Sequence, residues 1–179
     1  VEDSPLLGQF LERGLQQEGH APLLVRNLTD ARAALESHEI DALVLDRKLP
    51  DGDGIDLLTE LREAQSKVLV IMLTGQNDPE NRLEGLREGA DDYLGKPFSF
   101  EELMLRLNRL VYRYASTHGI VVGDLQIDPS GHQVQKKGET LNLTAKEFAL
   151  LLVLATNQNQ VVSASQLLAQ VWGLDELDF

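Results

Sequence analysis

The stretch Asp41-Ala-Leu-Val-Leu-Asp46-Arg-Lys-Leu-Pro50-Asp-Gly-Asp-Gly54 decides how this chain folds. Its first half is too apolar for a strand with one wet face, so it reads as a central strand, covered on both sides, that ends on a carboxylate. Its second half gathers Pro, Asp and Gly, the residues of a tight turn. Pro50 to Gly54 does not have the spacing of a calcium loop and reads as a solvated turn. Lys67-Val-Leu-Val-Ile-Met-Leu-Thr74 is a second buried strand, while Leu23-Leu-Val25 and Tyr93-Leu94 mark weaker, more lateral ones.

Amphipathic stretches alternate with these runs and carry helix-start signals. Ser4-Pro5 precedes Leu6, Leu7, Phe10, Leu11 and Leu15, and Asp78-Pro79 precedes Leu83 and Leu86. Ser99-x-x-Glu102 has the form of a capping box. Strands alternating with helices predict an α/β fold, a doubly wound five-stranded parallel sheet, over residues 1–113. The acidic Glu2-Asp3 follows Val1 directly, where a buried first strand should supply more apolar residues, so a trimmed first strand is expected.

From Tyr114 the pattern changes. Residues 114–119 read as a linker, and 120–179 as an α+β segment: short alternating strands broken at Pro129-Ser-Gly131 and Lys136-Lys-Gly138. Two boxed helix starts follow, Thr144-x-x-Glu147 and Ser163-x-x-Gln166.

Composition narrows the function classes. The 179 residues carry a net charge of −13, with 22 acidic against 13 basic residues up to residue 117 and 7 against 3 after it. Neither part has the Lys and Arg excess with which a protein grips a polyanion by counterion release. No apolar run reaches the length of a membrane span, there is no cysteine for disulfides or thiolate metal sites, and a cytoplasmic protein without membrane contact is expected.

In an open parallel sheet, ligands bind outside the carboxyl ends of the strands. Glu2 and Asp3 follow the first strand, Asp46 ends the third, Thr74 the fourth, and Lys96 the fifth before Pro97. Clustered carboxylates repel unless a hard cation neutralises them, and Mg2+ suits a site of few carboxylates that also meets phosphate. Asp46 is then the nucleophile toward phosphorus, Glu2 and Asp3 hold the metal, and Thr74 and Lys96 contact phosphoryl oxygens.

Glu2-Asp3, Leu45-Asp46 with Leu49-Pro-Asp-Gly52, Leu73-Thr-Gly75 and Gly89-Ala-Asp-Asp-Tyr-Leu-Gly-Lys-Pro-Phe98 together resemble the receiver domains of bacterial two-component response regulators. The resemblance implies a flavodoxin-like sheet, a phosphohistidine donor on a sensor histidine kinase, metal contact from the backbone carbonyl of Lys48, and Tyr93 as a switch aromatic that turns inward as Thr74 moves. Val122 to Asp128, Leu143-Thr-x-x-Glu-Phe148 and Val171-Trp-Gly173 look like the opening of an OmpR/PhoB-type winged-helix domain, which binds promoter DNA. In that family the recognition helix and wing lie beyond the Trp-Gly, so they are expected to be absent from this chain.

Receivers of this subfamily dimerise through their fourth helix, fifth strand and fifth helix. The matching ion pairs across subunits are Arg82 with Glu102, Asp92 with Arg106, and Asp91 with Arg113. Gly75 is expected to leave space beside Thr74, while Lys48 and Gln76 are expected to flank the phosphoryl site and influence its lifetime. The competing readings are a phosphatase with an aspartyl nucleophile and a receiver that binds partners without being phosphorylated. The phosphatase wants an acid two residues after the nucleophile, where this chain has Lys48. The chain is therefore read as a regulatory phospho-acceptor that catalyses only its own modification.

Overall fold

The computed structural model describes residues 1–75, 89–158 and 161–172. The expected helix start at Asp78-Pro79, together with Gln76, Arg82 and Gly173, lies outside the described residues. The chain divides into two compact units between Leu110 and Val111.

The first unit opens with α1 (Pro5–Gln17), capped by Ser4 with Pro5 in the first turn, then α2 (Leu28–Ser37), capped by Asn27. Strand β1 (Ala42–Asp46) leads into a short ribbon, β2 (Lys48–Leu49) with β3 (Gly52–Asp53), and then α3 (Gly54–Glu63). Strands β4 (Leu69–Gly75) and β5 (Asp92–Lys96) follow, then α4 (Phe100–His118). β4 lies between β1 and β5, parallel to both, with Asp46 opposite Leu73 and Thr74 opposite Gly95.

Backbone bonds extend this sheet sideways, since Asp46 N donates to Val1 O and Glu2 N donates to Val25 O. The lateral stretch Leu23–Val25 was expected as a strand. It is not one in regular form, because the Glu2 N–H to Val25 O bond alone does not make a ladder.

Alternation along β4 explains why it had to be apolar throughout. Val70 and Met72 join Leu43, Leu45, Leu57, Leu58 and Tyr93 in a core beneath α2 and α3. By the two-residue period of a strand, Leu69, Ile71 and Leu73 face the other way, and they too are buried. Leu103, Leu107 and Leu110 recur on one side of α4 at helical spacing and are buried. No helix of the described residues is long and apolar enough to cross a membrane.

The stretch expected as a linker is helical as far as His118, and the chain turns at Gly119, whose φ is +72°. Tyr114 to His118 contains no residue that must end a helix, so α4 runs on until glycine permits the turn.

In the second unit, β6 (Ile120–Val122), β7 (Leu125–Asp128), β8 (Gln133–Lys136) and β9 (Glu139–Leu141) form an antiparallel sheet in sequence order. The turn joining β8 to β9 consists of Lys137 and Gly138, both at positive φ, as a twist-matched hairpin demands. Helices α5 (Ala145–Thr156) and α6 (Ala164–Val171) start on the two expected boxes, with both reciprocal bonds present in each. Ile127, Val134, Phe148 and Ala155 form the core.

Candidate functional site

The carboxyl end of the parallel sheet brings four strand-end residues together. Glu2 is 2% exposed and Asp46 8%, burial unusual for carboxylates without a charged partner. The partner is Lys96, whose Nζ lies 2.7 Å from Glu2 Oε2 and 2.6 Å from Asp46 Oδ2. It reaches them because β5 is in register with β4 and β4 with β1, so strands distant in sequence end level with one another.

The remaining oxygens are placed by backbone. Glu2 Oε1 accepts from the Ser4 N–H at 3.1 Å, just before α1. Asp46 Oδ1 accepts a long bond, 3.4 Å, from the Lys48 N–H. Asp3 is exposed beside them, and a carboxylate oxygen from each of Glu2, Asp3 and Asp46 lies within 4.8 Å of the others. Three hard oxygen donors at that separation, one facing solvent, fit a divalent cation. Two of the three carboxylates already share the Lys96 ammonium, so among the described residues the cluster is short of positive charge.

Electrostatics explain why Lys96 stays charged. Burial lowers the pKa of its ammonium, but hydrogen bonds from it to Asp46 and Glu2, with their negative charges, outweigh burial and leave it above the ordinary lysine value.

Thr74, 5% exposed, sits one residue past the register partner of Asp46. A Cβ added at Gly75 would meet nothing within 4 Å among the described residues, so the strand end is open there. Tyr93 is buried in the core with Leu45 and Met72.

The sequence reading missed how the site is held. Pro50 to Gly54 is more than a solvated turn: Asp53 caps α3 through the Ile55 N–H at 3.0 Å and receives Arg47 Nε at 3.3 Å. Gly54 packs against the backbone of Asp46, where a Cβ would overlap its carbonyl oxygen. Asp51 reaches back to α2, its oxygens accepting from Leu28 N, Thr29 N and Thr29 Oγ1 at 2.8, 2.9 and 2.9 Å. Asp53 before an apolar helix was a readable cap signal, whereas the partners of Asp51 lie too far along the chain to be seen.

Of the charges expected at a subunit interface, Asp91, Asp92, Glu102 and Arg106 are engaged within the chain. Arg106 Nη1 lies 3.0 Å from Asp92 Oδ2, and its Nη2 lies 2.8 Å from Glu102 Oε1. Ser99 accepts from the Glu102 N–H, while the Glu102 carboxylate turns to Arg106, so the box at Ser99 is only half of the expected form. Asp91 Oδ2 accepts from Arg62 Nη2 and from the Val70 N–H, both at 2.8 Å. The Arg62 guanidinium also donates to Gly89 O, Ser66 O and Val68 O.

Residues 1–108 match the family "Response regulator receiver domain", and 138–178 match "Transcriptional regulatory protein, C terminal". Among curated relatives, the probable transcriptional regulatory protein TcrX of Mycobacterium tuberculosis is 38% identical over 98% of this chain and 77% of its own length. The response regulator protein PmrA of Pseudomonas aeruginosa is 38% identical over 97% and 79%. Among solved structures, the Thermotoga maritima OmpR/PhoB homolog DrrB aligns with a TM-score of 0.57 at 35% identity, over 96% of this chain and 77% of that one. The receiver domain of the TMAO respiratory response regulator TorR aligns at 0.60 and 36% identity, over 63% and 93%.

Proposed function

The chain belongs to the response regulators that join a receiver domain to an OmpR/PhoB-type transcriptional regulatory domain, and from that premise we propose that Asp46 is its phospho-acceptor, with a sensor histidine kinase as donor. The observation that carries this reading is the set of Glu2, Asp3, Asp46 and Lys96 at one sheet end, with three carboxylates in reach of one ion.

Glu2, Asp3, Asp46 and the Lys48 carbonyl hold Mg2+, which when bound offsets charge on the carboxylates and the incoming phosphoryl group. An Asp46 carboxylate oxygen attacks phosphorus as the phosphorus–nitrogen bond to the donor imidazole breaks, and the imidazole nitrogen is left to take a proton. Lys96, already beside Asp46, pairs with one phosphoryl oxygen, and the Thr74 hydroxyl donates to another. Tyr93 follows Thr74 as the switch aromatic. The reaction is a single self-modification and its reversal, with no turnover of an external substrate.

The receiver is assigned residues 1–113 and the regulatory part 120–179, joined by 114–119. Phosphorylation drives a homodimer in which Arg82 pairs with Glu102 and Asp92 with Arg106 of a second copy. Pairing of Asp91 with Arg113 of a second copy would require Asp91 to give up Arg62. In the full-length protein the regulatory part engages promoter DNA, and the protein works in the cytoplasm.

The test is stoichiometry. Incubation with a small-molecule phosphodonor and Mg2+ should place one acid-stable, base-labile phosphoryl group on each chain, with no sustained hydrolysis of phosphate monoesters. Many turnovers per site, or no incorporation at all, would overturn the reading.

A further inference from the structure

The ribbon that follows Asp46 is short. Lys48 faces Asp53 and Leu49 faces Gly52, leaving Pro50 and Asp51 as its tip. A two-rung ribbon has little stiffness of its own, yet it carries the Lys48 N–H that points at Asp46 Oδ1. Its tip is fastened to a different element. Asp51 takes the N–H groups of Leu28 and Thr29 and the Thr29 hydroxyl. Leu28 Cδ1 packs so close to Gly52 that an added Cβ there would come within 2.9 Å.

Helix α2 also has a cap of its own. Asn27 Oδ1 already accepts from Asp30 N at 2.7 Å, so the local cap serves the third N–H while Asp51 serves the first two. A carboxylate at a helix N-terminus is also favoured by the helix dipole. Those donors, Leu28 N–H foremost, hold the Asp51 carboxyl below its ordinary pKa, so the contact is made by the ionised form. A second tie runs nearby, Arg32 to Glu60 at 2.7 Å, between α2 and α3. The segment immediately after the acceptor is thus braced against α2.

We propose that Asp51 is a positioning residue for the Asp46 site: by anchoring the tip of the Lys48–Asp53 ribbon to the N-terminus of α2, it sets where the Lys48 backbone meets the cation and the acceptor carboxylate. This rests on the reading of Asp46 and its neighbours as a Mg2+ site. Residues that orient ligands without touching the metal typically change affinity by about tenfold or more when removed.

The experiment titrates the whole chain with Mg2+ alone, follows the Asp46 and Thr74 amide resonances, and compares Asp51→Ala with Asn27→Ala. Both substitutions remove a cap from α2, but only the first releases the ribbon. The dissociation constant for Mg2+ should rise about tenfold in Asp51→Ala and stay within about twofold of wild type in Asn27→Ala, since that cap contributes helix stability alone. Asp51→Asn, which keeps one acceptor oxygen, should fall between them and serves as the readout if Asp51→Ala does not fold. An unchanged Mg2+ affinity in the Asp51 variants, or equal weakening in Asn27→Ala, overturns the inference while leaving the metal site intact. A wild-type chain that takes up no Mg2+ contradicts the site itself.

Discussion

The Lys96 ammonium lies 2.6 Å from the Asp46 carboxylate across a separation of 50 residues, and it shares itself with Glu2 at 2.7 Å. Lys96 therefore compensates two buried anions. Replacing Lys96 with Met should leave both anions underpaired and cost about 2 kcal/mol, less than a fully buried pair because the ammonium is partly wet. Mg2+ should restore more of the melting temperature in the variant than it adds to wild type, as calorimetry with and without the ion would reveal. An equal effect of Mg2+ on both proteins would contradict the shared-charge account.

The same pair sets a pH dependence. The folded-state pKa of Lys96 lies above the unfolded value near 10.5, so its stabilisation is complete below that value and is lost as pH rises through the folded pKa. Wild type should therefore lose stability above about pH 10.5 more steeply than Lys96→Met. Chemical denaturation between neutral and strongly alkaline pH checks this.

Gly54→Ala tests the seat of Asp46, the proposed acceptor. The new methyl would overlap the Asp46 carbonyl oxygen, and the Gly54 N–H donates to Arg47 O at 2.6 Å, so neither backbone has room to yield. A loss of about 1–3 kcal/mol is expected from overpacking, together with slower phosphorylation by a small donor. Normal phosphorylation in a destabilised variant would show that this contact serves stability alone.

Arg106→Glu should weaken the phosphorylated dimer by about fivefold or more, since single exposed ion pairs contribute up to about 1 kcal/mol and reversal adds repulsion with Asp92. Sedimentation of the phosphorylated protein measures it. Because Arg106 already bonds Asp92 and Glu102 within its own chain, the unmodified monomer should also lose some stability. Unchanged sedimentation would remove this face from the interface.

Much of this was legible in the sequence because it is encoded locally. The apolar runs ending at Asp46 and Thr74 could only be buried strands, and the boxes at Thr144 and Ser163 marked helix starts that form as written. Register then did the rest, since parallel strands of equal reach place Asp46, Thr74 and Lys96 at one end. What escaped was non-local. Asp51 looks like any turn aspartate until α2, more than twenty residues earlier, is seen to present bare N–H groups to it. Asp91, expected to meet Arg113 of a second copy, is held within the chain by Arg62 and the Val70 N–H, both distant in sequence. Tyr114 to His118 looked like a linker because its residues are small or polar, yet none of them stops a helix before Gly119.

The most direct measurement is peptide mass mapping of the chain after treatment with a small phosphodonor and Mg2+, run beside Asp46→Asn. The account predicts a single modified peptide, the one containing Asp46, and none in the variant. A phosphoryl group on another residue, or equal labelling of Asp46→Asn, would contradict it.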